Sequence, residues 1–374
     1  MKKKILFLIT TLTGGGAEKI LIETVSNLDK DKYDIEIKTI LNRGIYINQI
    51  PQNVKYSYIF NDANVFSKIY FSFLLRMLKI IPSKIQYKMF IKNKYDIEIA
   101  YLEGAPTKLI SGSYNTQSKK IAWVHVDPKI LPYSRKAYLG LEQERKAYMC
   151  FDKICCVSSE VKKSLDSLFN TNEISIVQLN VLDEKEIIQK SLENIPEFLF
   201  KNDYLNLITI GRLAPQKNYQ LLLKVCKKLK EQGYNFNLYI LGDGLEKNLL
   251  SKYIKDNQLS NNVKLLGFLK NPYPYIIKCD MFVCSSVTEG FSTVVTESII
   301  LGVPVITTDC AGMKDIFGNS KCGIITENSF EGLYQGLLNV MNDDEVINNL
   351  NKNVKNRQQF FNLKCRLREI ENIL

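Results

Sequence analysis

Two glutamates, Glu289 and Glu297, lie eight positions apart in a segment that alternates between apolar runs and small residues. An apolar run at 281–284 precedes them and another at 303–307 follows, which predicts a strand, a glycine-containing loop, a helix and a second strand. Glu289 then lies in the loop and Glu297 on the helix. Because the start of a helix carries free N–H groups and the positive end of its dipole, it can bind an anion. The two carboxylates could hold hydroxyl groups on either side of a bound diphosphate.

Two basic residues follow another apolar run, at 205–210. Arg212 offers a planar guanidinium suited to phosphate, and Lys217 adds a mobile point charge five residues later. Both stand beside a helix that is predicted to begin near Asn218. Without a metal ion, two cations and a helix start can neutralise a diphosphate leaving group, although both residues could also be surface charges of a loop.

The first half of the chain contributes a glycine loop and the only histidine. Gly15 and Gly16 follow the apolar run 5–9, and glycines there let the backbone approach a ligand with its N–H groups pointing outward. Their spacing is not that of a dinucleotide-binding fingerprint, and a tight strand-to-helix turn would also need them. His125 ends a predicted strand at 120–124, where it could titrate near neutral pH, although a lone histidine is more often structural.

These segments together resemble the retaining glycosyltransferases of family 4, which carry an E-x7-E signature and two Rossmann-like domains in the GT-B arrangement. The Gly-Phe-Ser insert after Glu289, the Leu-Gly-Val-Pro continuation beyond the helix and the G-R-x4-K-N pattern at 211–218 carry the resemblance. It covers nearly the whole chain, and its specific motifs are concentrated in residues 205–315. The resemblance implies a nucleotide-sugar-dependent enzyme of the EC 2.4 class that needs no metal ion.

The resemblance implies roles for the acidic element. Glu297 is expected to hold the ribose hydroxyls of the nucleotide, whereas Glu289 and the backbone of residues 290–292 are expected to grip the hydroxyls of the transferred sugar. Retention in this family is ascribed to attack on the same face as the leaving group, with the departing phosphate taking the acceptor proton. Glu289 is therefore not assigned as a covalent nucleophile.

The resemblance also implies roles for the cationic and helix-start groups. Arg212, Lys217 and the helix start near Ser292 are expected to stabilise the departing diphosphate. His125 is expected to contact the sugar from the other domain. The expected catalytic residues are His125, Arg212, Lys217 and Glu289. The residues expected to bind the donor are Gly15, Gly16, Gly211, Arg212, Lys217, Gly242, Phe268, Leu269, Glu289, Gly290, Phe291, Ser292, Thr293 and Glu297.

Three further segments match the family less specifically. Gly242 opens a strand-to-helix loop that resembles the family's G-x-G turn. Phe268 and Leu269 follow a short strand and resemble the segment whose backbone holds the base, although a plain turn fits these residues as well. The segment 177–183 occupies the place of the family's hinge, but Val181 replaces the usual glycine or proline.

Apolar runs alternate with helical patterns along both halves, which predicts an α/β protein with two parallel sheets. Strands are predicted at 5–9, 35–40, 95–100, 120–124, 153–158, 205–210, 237–241, 263–266, 281–284 and 303–307. Helices are predicted at 17–28, 159–168 and 218–232. The loops that carry the motifs should converge at the carboxyl ends of the strands, where ligands of such sheets bind.

The expected GT-B architecture places two Rossmann-like domains facing each other across a cleft. An acceptor-binding domain is predicted at 1–185 and a nucleotide-sugar-binding domain at 200–357, with a linker within 183–203. A terminal helix over 358–374 is expected to pack back on the first domain.

The 374-residue length favours two domains, and the composition excludes several classes of protein. Nine cysteines without a C-x-x-C pair indicate reduced thiols in a cytosolic protein, and a single histidine argues against a zinc site. No apolar run is long enough to span a bilayer, and the apolar run at 5–9 is too short for a signal peptide.

Basic charge is concentrated in the first half. Residues 1–185 hold 28 Lys or Arg and 19 Asp or Glu, whereas residues 186–374 hold 22 and 20. Within the first half, residues 64–94 carry seven basic side chains and no acidic one, interleaved with apolar and aromatic groups. Such a segment can lie on an anionic membrane surface, or it can form amphipathic helices that pack on the sheet with their lysines in solvent. No nucleic-acid-binding motif accompanies the charge, so nucleic acid is not an expected partner.

The resulting hypothesis is a retaining glycosyltransferase that moves a hexose or N-acetylhexosamine from a UDP-sugar to a lipid-linked or polymeric glycan. It would act in bacterial capsule or lipopolysaccharide synthesis, peripherally at the inner face of the cytoplasmic membrane. One alternative is a non-catalytic GT-B partner subunit that binds glycan or membrane, which the intact set of Arg212, Lys217, Glu289 and Glu297 argues against. Another is a UDP-sugar epimerase on the same fold, which the lack of further suitable histidines and acids argues against.

Overall fold

The computed structural model describes residues 2–61, 76–195, 200 and 204–374. The chain divides into two compact units. The first unit comprises Met1–Leu182 together with Lys364–Leu374, and the second comprises Asp183–Leu363.

The first unit is built on a seven-stranded parallel sheet with the order β3-β2-β1-β4-β5-β6-β7. Its strands are β1 (Lys3–Ile9), β2 (Tyr33–Asn42), β3 (Lys55–Asn61), β4 (Ile97–Ala100), β5 (Lys119–Val124), β6 (Lys153–Cys156) and β7 (Ser175–Val177). The central strands β1, β4 and β5 are apolar and almost fully buried along their second halves, as expected for a parallel sheet covered on both faces.

The second unit is built on a six-stranded parallel sheet with the order β10-β9-β8-β11-β12-β13. Its strands are β8 (Leu205–Ile210), β9 (Phe236–Leu241), β10 (Val263–Gly267), β11 (Met281–Cys284), β12 (Val305–Thr308) and β13 (Gly323–Thr326). Side chains of β8, β9 and β11 form one core with the helices Tyr219–Glu231 and Phe330–Asn342.

Helices connect the strands in both units. In the first they are Gly16–Asn27, Ser83–Phe90, Ala105–Ile110, Leu141–Tyr148 and Ser159–Phe169. In the second they are Glu184–Ser191, Tyr219–Glu231, Lys247–Asp256, Tyr273–Ile276, Thr293–Ile300, Met313–Phe317, Phe330–Asn342 and Asp344–Gln358. A final helix, Leu363–Ile373, begins at the boundary of the two units. None of the helices in the described ranges combines the length and the apolar character that crossing a membrane requires.

The strand order reverses once in each sheet. In the first sheet this happens between β1 and β4, and in the second between β8 and β11. The loops that leave two such strands diverge to opposite faces of the sheet and open a crevice at its carboxyl edge, where ligands bind. The loops after β1, β4, β8 and β11 are therefore the ones that matter for function.

The structure differs from the sequence expectations at several elements. The strands β3, β7 and β13 were not predicted, because they are short or carry mixed polar and apolar residues. The segment 183–203, expected to be a linker, contains the helix Glu184–Ser191, which the Asp183 carboxylate caps by accepting N–H groups of Lys185 and Glu186, both at 3.0 Å.

The terminal helix predicted over 358–374 is present but begins later, at Leu363, because the preceding helix ends at Gln358 and residues 359–362 break the chain between the two. The carboxylate of Glu184 accepts the N–H of Leu363 at 2.9 Å and the side-chain amide of Asn362 at 3.3 Å, which starts the second helix. Leu374, which follows the end of that helix, contacts β1, because its carbonyl accepts a hydrogen bond from the Lys3 ammonium at 3.3 Å. Of the basic segment 64–94, residues 64–75 lie outside the described residues.

Candidate functional site

Two loops of the second unit are joined side by side at the point where its strand order reverses. The loop after β8 ends in a short turn, Pro215–Lys217, and the loop after β11 carries Glu289. Gln216 accepts the N–H of Val287 at 2.8 Å on its carbonyl and donates from its side chain to the carbonyl of Thr288 at 2.9 Å. The Ser285 hydroxyl donates to the carbonyl of Lys217 at 2.8 Å. These bonds fix the relative position of the two loops.

Lys217 and Glu289 form an ion pair between these loops. The Lys217 Nζ lies 2.6 Å from the Glu289 Oε1, and their side chains are 20% and 11% exposed. Burial alone would lower the pKa of Lys217, but the carboxylate of Glu289 outweighs burial, so its pKa stands above the ordinary value. The Ser286 hydroxyl donates to the same oxygen at 2.7 Å. The predicted cation and the predicted loop acid are thus in direct contact.

The second acid, Glu297, lies on the helix Thr293–Ile300 and is 2% exposed. Its Oε1 accepts the hydroxyl of Tyr273 at 3.3 Å. Ser292 precedes the helix in an extended conformation and makes no side-chain cap. Its buried hydroxyl has no hydrogen-bond partner among the described residues. The first turn therefore keeps both its free N–H groups and a hydroxyl that a ligand could engage.

Glycines let the loops of this edge approach one another closely. A Cβ on Gly242, whose φ is +138°, would lie 2.0 Å from the carbonyl oxygen of Gly211. The N–H of Gly242 donates to the carbonyl of Gly267 at 2.7 Å and the N–H of Gly211 donates to the carbonyl of Leu241 at 3.0 Å, so the ends of β8, β9 and β10 are linked. A Cβ on Gly312, whose φ is +83°, would lie 2.6 Å from the carbonyl oxygen of Gly290. The backbone that carries the predicted site residues is thus packed without room for side chains.

The remaining predicted residues of this unit are more open. Arg212 is exposed, and its guanidinium makes no hydrogen bond or ion pair with any described residue. Phe268 is 69% exposed just beyond β10, and Leu269 beside it is half-buried. Phe291 is buried, and Thr293 begins the helix that holds Glu297.

In the first unit, Gly15 and Gly16 follow β1 and begin the helix Gly16–Asn27. Gly15 occupies the cap position and Gly16 is exposed. The Glu18 carboxylate folds over this helix start, since a Cβ on Gly15 would lie 2.2 Å from its Oε2. This start is therefore already next to an anionic group of the protein.

His125 lies directly after β5 and is 8% exposed. Burial lowers the pKa of His125 to about 3, although a hydrogen bond to the backbone of Tyr101 acts in the opposite direction. Burial therefore keeps the imidazole neutral near pH 7, the form that can exchange hydrogen bonds with a sugar. Its Nε2 is buried and has no partner among the described residues.

Four residues of these crevices were not identified from the sequence. Ser286, Tyr273 and Gly312 each touch a predicted residue but carry no motif of their own. Ser286 lies in the loop of Glu289 itself, whereas Tyr273 begins a short helix and Gly312 follows β12. The fourth is Glu103, whose Oε2 accepts the N–H of His125 at 3.1 Å. Its sequence signal was available, since an acid followed by glycine just beyond an apolar run also describes Glu289.

Comparisons with known proteins agree with this arrangement. The family model for group 1 glycosyl transferases matches residues 191–357. The chain is 27% identical over 371 residues to the N-acetylgalactosamine-N,N'-diacetylbacillosaminyl-diphospho-undecaprenol 4-alpha-N-acetylgalactosaminyltransferase of Campylobacter jejuni, covering 96% of each protein. It is 28% identical over 237 residues to an Escherichia coli UDP-Gal:alpha-D-GlcNAc-diphosphoundecaprenol alpha-1,3-galactosyltransferase, covering 61% of each.

Among solved structures, the crystal structure of HepE from Anabaena in complex with UDP superposes with a TM-score of 0.74 at 18% identity. The match covers 100% of this chain and 99% of that one, and it shows that the fold is GT-B. With the family model, the full-length relative and the two parallel sheets in agreement, the chain belongs to the group 1 glycosyltransferases, family 4, which are enzymes of the EC 2.4 class.

Proposed function

We propose that this enzyme transfers a hexose or an N-acetylhexosamine from a UDP-sugar to a lipid-linked or polymeric glycan acceptor, with retention of configuration. The observation that carries the proposal is the contact of Lys217 with Glu289 beside the uncapped start of the Glu297 helix. One crevice then offers a cation and free N–H groups for a diphosphate and two carboxylates for hydroxyl groups. That set of groups matches a nucleoside diphosphate sugar.

Each residue has a role in this proposal. Lys217, the exposed Arg212 and the N–H groups of Ser292 and Thr293 stabilise charge on the departing diphosphate. Glu297 accepts hydrogen bonds from the ribose hydroxyls. The remaining donor contacts are proposed for Gly15, Gly16, Gly211, Gly242, Phe268, Leu269, Gly290 and Phe291.

Glu289 and the neutral His125 bind sugar hydroxyls rather than exchange protons. His125 can do this because its buried Nε2 has no partner in the described part of the chain. The bond from the anomeric carbon to the diphosphate oxygen breaks, the acceptor oxygen bonds to the same face of that carbon, and the acceptor proton passes to the departing phosphate. The step needs neither a covalent enzyme intermediate nor a metal ion.

The choice of donor and acceptor class rests on the relatives. HepE has been crystallised with UDP and with UDP-glucose. The Campylobacter and Escherichia relatives are named for acceptors that are diphospho-undecaprenol-linked sugars. A UDP-sugar donor and a polyprenyl-linked acceptor, as in the synthesis of bacterial surface polysaccharide, are therefore the substrates proposed for this chain.

A lipid-linked acceptor fits a proposed peripheral location at the cytoplasmic membrane. The described part of the basic segment contains the helix Ser83–Phe90, on which Lys84 and Lys88 are exposed, as are Ile85 and Met89. The two pairs are each spaced by four residues, so adjacent basic and apolar rows run along one side of the helix. Such a surface can place apolar groups in the interface while lysines meet anionic lipid.

We expect the protein to sediment with vesicles that contain anionic lipid, more weakly as salt rises, because each lysine near the surface contributes about 1 kcal/mol that salt screens. The double variant Ile85→Ser with Met89→Ser should lose most of that binding. Leu245→Ser, which removes a 97% exposed side chain from the second unit, is the matched control. Equal sedimentation of both variants would show that this helix is not the membrane surface.

The experiment that tests the function measures UDP release from a panel of UDP-sugars, with and without a membrane glycolipid extract. We expect one sugar to give release that the extract stimulates, and Glu297→Ala to abolish it because the ribose loses its hydrogen-bond acceptor. Glu331→Ala, which changes an exposed acid in the same unit, is the control. No release from any sugar despite tight UDP binding would instead indicate a non-catalytic partner subunit, and absence of UDP binding would contradict the site itself.

A further inference from the structure

The two sheets carry matching features where their strand order reverses. In the second unit, a loop beginning at Gly211 leaves β8, and the loop leaving the neighbouring β11 carries Glu289 followed by glycine. In the first unit, the loop with Gly15 leaves β1, and the loop leaving the neighbouring β4 carries Glu103 followed by glycine. Each crevice therefore has one glycine loop and one acid in the opposite loop, and the proposed function uses only the loop acid of the second.

Backbone groups hold the carboxylate of Glu103 in place. Its Oε2 accepts the N–H of His125 at 3.1 Å, and its own backbone N–H donates to the carboxylate as well. Gly104 follows with a φ of +88°, and a Cβ there would lie 3.3 Å from the Cα of Ser134. The loop after β4 is thus tied to the end of β5 and to the turn Tyr133–Ala137. The side chain is half-buried, so part of it remains accessible at the carboxyl edge of the sheet.

Glu103 differs from Glu289 in having no cation. In the described ranges no lysine or arginine lies within ion-pair distance of its carboxylate, whereas Glu289 is paired with Lys217. The titratable groups around it are Glu144, His125, Tyr148 and Cys156. Burial raises the pKa of Glu103 to about 7, the N–H donors act in the opposite direction, and the nearby Glu144 adds to the increase. A carboxyl group in this environment makes folding less favourable, so its presence points to a role in binding a ligand.

The imidazole of His125, next to Glu103 in the fold, also presents a hydrogen-bond acceptor. The neutral His125 bonds to the backbone of Tyr101, and its buried Nε2 has no partner in the described part of the chain. With the other ring nitrogen as the donor, Nε2 presents a lone pair. Glu103 and His125 are therefore two adjacent acceptors without a cation, a combination that fits the hydroxyl or amide donors of a sugar and disfavours phosphate.

We propose that Glu103 is an acceptor-binding residue, whose carboxylate accepts a hydrogen bond from a hydroxyl or acetamido N–H of the glycan acceptor and orients it for transfer. This inference rests on the proposed function and adds to it a residue that selects the acceptor. Glu103 takes no proton in the reaction. The ionised carboxylate accepts the hydrogen bond of the acceptor hydroxyl. The protonated carboxyl would instead donate its own O–H and so bind the hydroxyl less well.

The test compares Glu103→Gln with the wild-type full chain in two assays that use the same UDP-sugar. One assay measures UDP release with water as the acceptor, and the other measures the release that the membrane glycolipid extract stimulates. We expect Glu103→Gln to leave UDP affinity and hydrolysis within about twofold and to reduce stimulated release at least tenfold, because only acceptor contacts are lost. Glu142→Gln, an exposed acid of the same unit, should match wild type in both assays.

The pH profile separates a ligand contact from a structural role. Stimulated release by wild type should fall as pH drops below about 7, where Glu103 becomes protonated, and this limb should be absent in Glu103→Gln. A carboxyl whose pKa is raised on folding destabilises the protein as pH rises from its unfolded value through its folded one. Glu103→Gln should therefore be at least as stable as wild type at pH 8, so unfolding would not account for the lost transfer.

The outcomes distinguish this inference from the proposed function. If wild type shows extract-stimulated release and Glu103→Gln retains both that release and the acid limb, Glu103 does not bind the acceptor. An equal loss of hydrolysis and stimulated release would assign Glu103 a structural role and also overturn the inference. Glu103→Asp keeps the charge on a shorter side chain and should retain the acid limb with a higher KM for the extract. If wild type releases no UDP from any sugar, the proposed function fails and this inference fails with it.

Discussion

Replacing Lys217 by alanine is expected to lower kcat/KM for the donor by about 10²- to 10³-fold, the usual effect of removing one group that stabilises a developing negative charge. The substitution removes the cation and also leaves the carboxylate of Glu289 unpaired, because the ammonium lies 2.6 Å from it. An unpaired carboxylate in the crevice would repel the diphosphate of the donor. Steady-state kinetics with the active UDP-sugar measure the loss of kcat/KM, and calorimetric titration with UDP measures the loss of nucleotide affinity.

The same substitution should also reduce the free energy of unfolding. Breaking a largely buried ion pair by removing one partner costs up to about 3 kcal/mol, and here the side chains are only 20% and 11% exposed. The pKa of Lys217 is raised on folding, so the pair stabilises the protein fully below the pKa of an unfolded lysine and loses this effect as pH rises through the folded value. The loss in Lys217→Ala is therefore present throughout the neutral range.

Two comparisons test this explanation. Lys314→Ala breaks an ion pair with Asp309 at 3.3 Å whose side chains are 62% and 51% exposed, and it should cost less than about 1 kcal/mol with unchanged kinetics. The double variant Lys217→Ala with Glu289→Gln should lose less donor affinity than the two single variants added together, since a neutral glutamine side chain no longer repels the diphosphate. Strictly additive losses would mean that the two side chains act on the donor independently.

The elements around Glu289 and Glu297 could be predicted because their signals are local. An apolar run, a glycine loop and a helix pattern follow one another within residues 281–308, and the structure has β11, the helix Thr293–Ile300 and β12 in that order. Local signals cannot show which loops meet. The contact of Lys217 with Glu289 joins residues 72 positions apart, and it depends on β8 lying beside β11 in the sheet.

The features that the sequence did not predict likewise depend on the surrounding fold rather than on a local pattern. The edge strand β3 has no buried residue and mixes lysine, serine and asparagine with aromatic side chains, so its sequence lacks the pattern of a buried strand. The break at residues 359–362 is fixed by the carboxylate of Glu184, which is 179 positions from the N–H of Leu363 that it caps. The low pKa of His125 follows from its burial by the surrounding fold, which a single histidine at a strand end does not reveal.

Gly312→Ala is expected to weaken UDP binding by about 10- to 100-fold, because it displaces the loop that precedes the Glu297 helix. Gly312 has a φ of +83°, and an added Cβ would lie 2.6 Å from the carbonyl oxygen of Gly290 and 3.1 Å from the Cα of Phe291. Both neighbouring atoms belong to the backbone, so no side-chain rotation relieves the contact. The loop must move, and with it the free N–H groups of the helix start.

Gly233→Ala is the matched control for this substitution. Gly233 has a φ of +82°, and an added Cβ there meets no atom within 4 Å. Both variants therefore force alanine into the left-handed region at a cost of about 1–2 kcal/mol, and only Gly312→Ala also pushes on the loop of Gly290. Thermal unfolding gives the shared cost, and titration with UDP gives the difference. Equal UDP affinity in the two variants would show that the position of the Gly290 loop does not control nucleotide binding. Binding of the diphosphate would then be assigned to Lys217 and Arg212 alone.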